Sequence, residues 1–306
     1  MAKGGAPRVL CALAVIAGLF LGAPGAAIAA PRVVASVMPI HSLVAAVMDG
    51  VGTPVLLLRG NMSPHGYSLR PSDARALARA DAVVWVGAGF EVFLANALDG
   101  LAAEARVLEL AKAPGVALLP AAADGDAADA YDPHLWLDPA NGMAIASAIA
   151  ALLTEIDPAN APRYRANAAA LRVRLRALDQ KIAARLAPLA GRAFVVYHDA
   201  YRYFERRYGL TPLGAITPNP ERPPGARHIA NLRAAMREAA RAEGTVCLFV
   251  EPQFTPRLAE TLAADTGARI AVLDPLGADL APGPDAYPAL LEGLAESLAG
   301  CLGGGD

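Results

Sequence analysis

Short apolar runs recur along this chain, and each is followed by turn residues and an alanine-rich helical pattern. They occupy residues 33–37, 55–58 and 83–86 in the first half, and 194–197, 246–250 and 270–273 in the second. Nearly continuous apolar strands that alternate with helices are typical of parallel sheets covered on both faces. The two halves share this pattern without repeating a sequence. We therefore predict an α/β fold of two lobes, each with a mostly parallel sheet flanked by helices.

One long helix is predicted between the halves. Pro162 suits a first helical turn, and Pro188 ends the pattern. Apolar residues recur between them at three- and four-residue spacing, namely Tyr164, Ala168, Leu171, Leu175, Leu178, Ile182 and Leu186. A helix of this length would join two lobes rigidly. The predicted organisation is a signal peptide at 1–29, an N-terminal lobe at 30–160, a linker helix at 161–187 and a C-terminal lobe at 188–306.

The first residues have the layout of a secretory signal. Lys3 and Arg8 provide positive charge, residues 9–21 are apolar, and Ala27 and Ala29 form a small-x-small cleavage site. The alternative is an N-terminal anchor helix, but the apolar run is short for a membrane span. We expect an exported protein of the periplasm.

Charge argues against one class of partner. The chain has 27 Lys and Arg against 29 Asp and Glu, and removal of Lys3 and Arg8 with the signal leaves 25 against 29, a net charge of −4. No basic patch stands out, so nucleic acid is excluded as the expected partner. We expect a monomer.

The cysteine pattern predicts a disulfide. Of three cysteines, Cys11 lies in the predicted signal peptide, which leaves Cys247 and Cys301 in the exported chain. A pair of cysteines in an oxidising compartment is expected to form a disulfide. A thiolate zinc site is the alternative, although no other cysteine lies near either residue in sequence.

Three of the five histidines and one aspartate lie where a ligand site is expected. His65 comes shortly after the second apolar run, and His134 follows Asp132 and a proline. His198 and Asp274 directly follow the fourth and sixth runs. In open α/β sheets, ligands bind outside the carboxyl ends of the strands. With two candidates from each half, the site would lie in the cleft between the lobes.

Three imidazoles and one carboxylate form a suitable tetrahedral set for Zn²⁺, whereas Mn²⁺ prefers more oxygen ligands. The spacing of these four residues in the sequence does not show that they meet in the fold. Each histidine, taken alone, could also have a structural role or lie exposed at the surface.

Several motifs resemble those of the zinc-binding periplasmic solute receptors of metal ABC importers, the ZnuA-like group of solute-binding protein family 9. The matching motifs follow the family's order through most of the chain: Leu69-Arg70-Pro71-Ser72-Asp73, Trp136-Leu137-Asp138-Pro139, His198-Asp199-Ala200-Tyr201, Glu251-Pro252-Gln253-Phe254 and Leu273-Asp274-Pro275-Leu276-Gly277.

The resemblance implies two α/β lobes joined by a rigid long helix, with the metal between them. It implies that His65, His134 and His198 are zinc ligands, that Asp274 is the fourth, and that an inner-membrane ABC permease receives the ion. In relatives that favour manganese, the third ligand position resembles a glutamate. This chain has His198 at that position. Cys247 and Cys301 fall where zinc-type relatives carry a disulfide. A zinc metallochaperone is a further expected partner.

Two features depart from the resemblance. The stretch at 121–130 is short, with Asp124, Asp126 and Asp129 and no histidine, whereas many zinc receptors have a long histidine-rich loop before the second ligand. Pro64 stands where some relatives have an acidic residue, which favours Asp274 as the fourth ligand. We also expect Glu251 to hydrogen-bond a ligand imidazole, with a cap on the following loop as its alternative role.

Other functions have weaker support in the sequence. A zinc-dependent hydrolase would need an open metal position, and the chain has no His-Glu-x-x-His or Gly-x-Ser-x-Gly motif. A manganese or iron receptor would keep the fold and change the ion. A surface adhesin is the third alternative, but Cys11 is placed too early for lipid attachment. We predict a receptor that is not an enzyme.

Overall fold

The computed structural model describes residues 1–5, 29–121, 131–217, 219–220 and 222–304, without the side chain of His65. The signal peptide predicted at 1–29 and the aspartate-containing stretch at 121–130 therefore lie almost entirely outside the described residues.

The first sheet contains four parallel strands in the order β2-β1-β3-β4. They are β1 (Val33–Ala35), β2 (Val55–Leu56), β3 (Ala82–Trp85) and β4 (Arg106–Glu109). Its helices are α1 (Met38–Val47), α2 (Pro71–Leu77) and α3 (Val92–Leu101). The central strands β1 and β3 are fully buried, which explains their uninterrupted apolar sequence.

Two antiparallel helices connect the sheets. Helix α4 (Pro139–Ile156) is followed by α5 (Ala161–Leu186), which has 26 residues and packs along α4. Most of the predicted apolar stripe of α5 is buried, but Leu178 is only partly buried and Asp179 takes a buried place beside it. Asp179 is compensated by Arg207, whose Nε donates to Oδ1 at 3.0 Å, and by the Tyr208 hydroxyl, which donates to Oδ1 at 3.0 Å.

The second sheet is also parallel and four-stranded, in the order β6-β5-β7-β8. Its strands are β5 (Phe194–His198), β6 (Gly214–Thr217), β7 (Cys247–Val250) and β8 (Arg269–Val272). The helices that follow are α6 (Arg202–Tyr208), α7 (Ala226–Glu243), α8 (Arg257–Thr266) and α9 (Ala286–Leu302). The predicted α/β class with two parallel sheets and a long helix is confirmed, and β4 and β6 are strands that we did not predict.

Helix α9 contacts β8 of the second sheet and also reaches beyond that sheet. It packs against both α5 and α1, and the Tyr287 amide donates to Ser42 Oγ at 2.8 Å. The Tyr287 hydroxyl donates to the carbonyl of Trp136 at 2.6 Å. The end of the chain therefore forms part of the buried contact between the two halves.

The predicted disulfide is confirmed between Cys247 and Cys301, which are 54 residues apart in sequence. Both cysteines are buried. The bond joins the first residue of β7 to the last turn of α9.

Reduction of this disulfide is expected to lower the free energy of unfolding by about 4 kcal/mol, because the oxidised bond removes loop entropy from the unfolded chain. Urea denaturation of the metal-free protein with and without reductant measures this difference. A variant in which serine replaces both cysteines is the control and should ignore the reductant. Equal unfolding midpoints for the oxidised and reduced wild type would contradict the expectation.

Candidate metal centre

Two predicted ligands, one from each half of the chain, meet in the interior. His198 is the last residue of β5, and His134 immediately precedes a 3-10 turn, Leu135–Leu137. Their ring centroids are 5.0 Å apart, and their exposed fractions are 4% and 5%, respectively. The site therefore lies at the carboxyl end of a central strand, as the rule for open α/β sheets predicts.

The His134 ring is oriented by a buried carboxylate. Asp132 Oδ1 lies 2.9 Å from His134 Nδ1 and also accepts the His134 backbone amide at 3.0 Å. A proton on Nδ1 makes the first contact a hydrogen bond and leaves Nε2 in the unprotonated form that binds a metal. Such carboxylate–imidazole pairs commonly fix the tautomer of metal-binding histidines.

Glu251 faces His198 in the same manner but at a longer distance. Its Oε1 lies 3.6 Å from His198 Nδ1, beyond hydrogen-bonding range. The Tyr201 hydroxyl donates to the carbonyl of Leu273 at 2.8 Å. Burial raises the pKa of Tyr201 well above its ordinary value, and the nearby carboxylates of Glu251 and Asp274 add to this effect. Tyr201 therefore stays a neutral donor beside the acidic groups.

The Asp274 carboxylate is held by its own loop. Its Oδ1 accepts the amides of Leu276 and Gly277 and the Gln253 side chain, each at 3.0 Å, and Oδ2 accepts the amide of Ala278. A carboxylate has about four lone-pair positions, so Oδ2 retains capacity for a further partner. These bonds fix the direction of the carboxylate whether or not it binds an ion.

The main chain of His65 lies in a 3-10 turn, Pro64–Gly66. Ser63 and Pro64 line a small cavity that His134 and His198 also line. Among the side chains that the structure describes, which exclude that of His65, no three metal-binding groups form a cluster able to hold an ion. The structure thus brings together His134 and His198 and places Ser63 and Pro64, which precede His65, at the same cavity.

Aromatic side chains pack around the two imidazoles. Phe90 lies 5.6 Å from the His134 ring, between centroids, and Trp136 lies 5.5 Å from it. Phe254 covers His198 at 6.2 Å and stacks on Tyr197. Such low-polarity walls strengthen electrostatic interactions inside the site.

Asp132, which contacts Nδ1 of the predicted ligand His134, has no role assigned to it in the sequence analysis. The motif Asp132-Pro133-His134 was visible, and its close spacing is the signal that could have identified a carboxylate partner for the imidazole. Gln253 was also missed, since its bond to Asp274 joins two strand ends 21 residues apart.

Acidic groups continue beyond the two imidazoles. Burial, with a smaller contribution from the negative charges of Asp199 and Asp132, raises the pKa of Glu205 to about 8 against the opposing effect of Arg202. Among the described residues, Glu205 Oε1 has no hydrogen-bond partner. Burial likewise raises the pKa of Asp199. Acidic side chains, Glu205 among them in its neutral form at pH 7, therefore surround the two imidazoles.

Comparison with known proteins gives consistent matches over most of the chain. The family model described as zinc-uptake complex component A, periplasmic (ZnuA), matches residues 33–301. The high-affinity zinc uptake system protein ZnuA of Brucella abortus is 40% identical, covering 94% of this chain and 97% of the relative. Its counterpart in Yersinia pestis is 35% identical, covering 90% and 92%.

A solved structure agrees with these matches. A ZnuA deletion mutant with zinc bound is 30% identical and superposes with a TM-score of 0.77, covering 89% of this chain and 98% of the other. The two-lobed fold implied by the sequence resemblance is therefore confirmed.

Glu205→Gln is expected to make the stability of the metal-free protein less dependent on pH. Because its folded pKa is raised, Glu205 keeps its proton at pH values where the unfolded chain has lost it, so wild-type stability falls as the pH rises from about 5 to about 8. Glutamine has no proton to lose. In urea denaturation, the free energy of unfolding of the variant relative to the wild type should increase by on the order of 3 kcal/mol between these pH values.

The surface variant Glu296→Gln is the matched control and should follow the wild type at both pH values. A constant stability difference between Glu205→Gln and the wild type across this range would contradict the prediction.

Proposed function

The chain belongs to the ZnuA family of periplasmic zinc-uptake components, and from this premise we propose that it captures Zn²⁺ with high affinity in the periplasm and delivers it to an ABC-type importer. The observation that carries the proposal is the buried pair of His134 and His198, with ring centroids 5.0 Å apart and a carboxylate near the Nδ1 of each. Two imidazoles oriented in this way are suited to a common ion.

The proposed ligands are His65, His134, His198 and Asp274. Three imidazole nitrogens and one carboxylate oxygen match the tetrahedral preference of Zn²⁺. Asp132 orients His134, and a shortening of the 3.6 Å contact between Glu251 and His198 Nδ1 on metal binding would give the second imidazole an equivalent partner. The presence of a third imidazole favours zinc over manganese or iron at this site.

The proposed mechanism is capture and handover without chemical change to a substrate. Four protein ligands leave no open position for a reactive water, which distinguishes this site from that of a zinc hydrolase. The receptor would release the ion to an inner-membrane permease, and a zinc metallochaperone is a proposed partner for loading. The proposed signal peptide at 1–29 would export the receptor to the periplasm.

Metal titration of the mature protein is the direct test. We expect one Zn²⁺ per chain, weaker binding of Mn²⁺, and a loss of zinc affinity of roughly 100-fold or more in His198→Ala, because loss of a ligand exceeds the 10- to 100-fold effect typical of its supporting partners. Competition with a chromophoric chelator measures each affinity. Asp274→Ala, measured in the same series, should also weaken zinc binding.

His228→Ala is the matched control for these variants. His228 is exposed and its Nε2 bonds to the carbonyl of Ala215 at 2.8 Å, so its removal should leave the high-affinity site unchanged. Equal or tighter binding of Mn²⁺ would move the assignment to another metal, and absence of metal binding by the wild type would refute the proposal.

Zinc affinity is expected to fall when the pH is lowered from 7.5 to 5, because protons compete with the metal for imidazole nitrogen. A decrease of at least about tenfold is expected for a site with several histidines. Titration at constant ionic strength measures it. Flat affinity over this range would contradict a histidine-dominated site.

A further inference from the structure

One tyrosine hydroxyl joins the second lobe to both ends of the segment that precedes His134. Tyr203, in the first turn of α6, accepts a hydrogen bond from the Leu119 amide at 2.9 Å. The same hydroxyl donates to the carbonyl of Asp132 at 2.9 Å. Tyr203 is buried, as are Leu119 and Asp132. A single side chain therefore satisfies one donor and one acceptor that lie 13 positions apart in the sequence.

The two backbone stretches that Tyr203 contacts are also bonded to each other. The Asp132 amide donates to the carbonyl of Leu119 at 2.8 Å, and Pro120 forms an antiparallel bridge with Tyr131. The hydroxyl thus completes a three-way junction between α6 and the two stretches. Because these contacts hold the main chain of Asp132, a displacement of Tyr203 would also displace the Asp132 carboxylate.

Arg202 reinforces the junction from the neighbouring position on α6. Its Nη1 donates to the carbonyl of Pro120 at 2.7 Å and lies 3.9 Å from Asp132 Oδ2. The guanidinium therefore holds the chain beside Asp132 and offsets part of the negative charge there.

Asp132 carries this constraint to the metal centre, because its other oxygen contacts His134 Nδ1 at 2.9 Å. The helix that begins at Arg202 follows His198 by only four residues. One short segment of the second lobe thus supplies one proposed ligand and fixes the support of another.

We propose that Tyr203 is a positioning residue for zinc binding, acting through Asp132 to hold His134 in register with His198. This inference rests on the proposed zinc-receptor function and adds a residue that contacts neither the ion nor its ligands. Burial raises the pKa of Tyr203 to about 12, so the hydroxyl keeps its proton at physiological pH. Phenylalanine in its place would leave the Leu119 amide and the Asp132 carbonyl without this partner.

Tyr203→Phe, compared with Tyr208→Phe, tests the proposal. Tyr208 lies at the other end of α6 and donates to Asp179 at 3.0 Å, toward α5, so the control loses a buried hydroxyl of the same helix. We expect zinc affinity to fall about tenfold in Tyr203→Phe, mainly through faster release, in the range seen for groups that support metal ligands. Tyr208→Phe should stay within about twofold of the wild type, with thermal unfolding of both variants recorded in parallel.

A double-mutant cycle separates positioning from general loosening of the fold. If Tyr203 acts through the Asp132 carboxylate, Tyr203→Phe introduced into Asp132→Ala should change zinc affinity by less than about twofold. An unchanged zinc affinity in Tyr203→Phe would overturn the proposal. The proposal would also be overturned if the fold losses of zinc affinity in the two single variants multiplied to give the loss in the double variant.

Hydrogen exchange in the wild type gives a test that requires no variant to fold. Thermodynamic coupling between two sites is reciprocal. If the intact junction increases zinc affinity by a given factor, bound zinc should stabilise the junction by the same factor. We expect exchange of the Leu119 amide to slow about tenfold when zinc is added. The control is the amide of Leu210, which lies beyond the end of α6 and donates to the carbonyl of Glu205. Its exchange rate should not change when zinc is added.

Equal exchange of the Leu119 amide with and without zinc would overturn the positioning role. A wild type that binds no zinc would instead refute the receptor function, so failure of the two proposals is distinguishable.

Discussion

The buried contact between Asp132 and His134 is the interaction on which the proposed centre depends. An imidazole removed from water needs one nitrogen satisfied and the other left for the metal, and the carboxylate accomplishes both with Oδ1 alone. Burial of Asp132 in turn requires its remaining polar atoms to be compensated. The Tyr203 hydroxyl and the Leu119 carbonyl bond its main-chain groups, while Oδ2, which has no hydrogen-bond partner among the described residues, lies 3.9 Å from Arg202 Nη1.

The architecture explains why these groups can meet. Parallel strands place all their carboxyl ends at one edge of a sheet, so His198 at the end of β5, Glu251 after β7 and Asp274 after β8 gather at the same edge of the second sheet. Trp136 links that edge to the first lobe, since its Nε1 donates to the carbonyl of Pro275 at 2.9 Å. The two imidazoles thus come from different halves yet line the same small cavity.

Most of the fold follows from sequence pattern. Uninterrupted apolar runs are recognisable as strands, whereas β4 begins with Arg106 and ends with Glu109, and β6 begins with Gly214, so neither forms such a run. Periodicity likewise placed Leu178 within the buried stripe of α5. Asp179 is buried beside it because Arg207 and Tyr208, distant in sequence, satisfy its carboxylate.

The candidate site was predictable to a similar depth. Strand-end position selected His198 and Asp274, proximity to a predicted strand selected His65, and residue type with the family resemblance selected His134. The hydrogen bonds that Asp274 accepts from its own loop and from Gln253 depend on backbone geometry that spacing does not reveal. The support of Asp132 by Tyr203 depends on contact between the lobes, which no local pattern encodes.

The disulfide acquires a second meaning from the position of α9. That helix packs on α1 and α5, while its last turn is bonded covalently to the start of β7. The second sheet is therefore joined to the helices beside the first sheet at two places, through the end of α5 and through Cys301. A single connection permits torsion about its own axis, whereas two connections side by side oppose torsion and leave bending in their common plane as the softer motion.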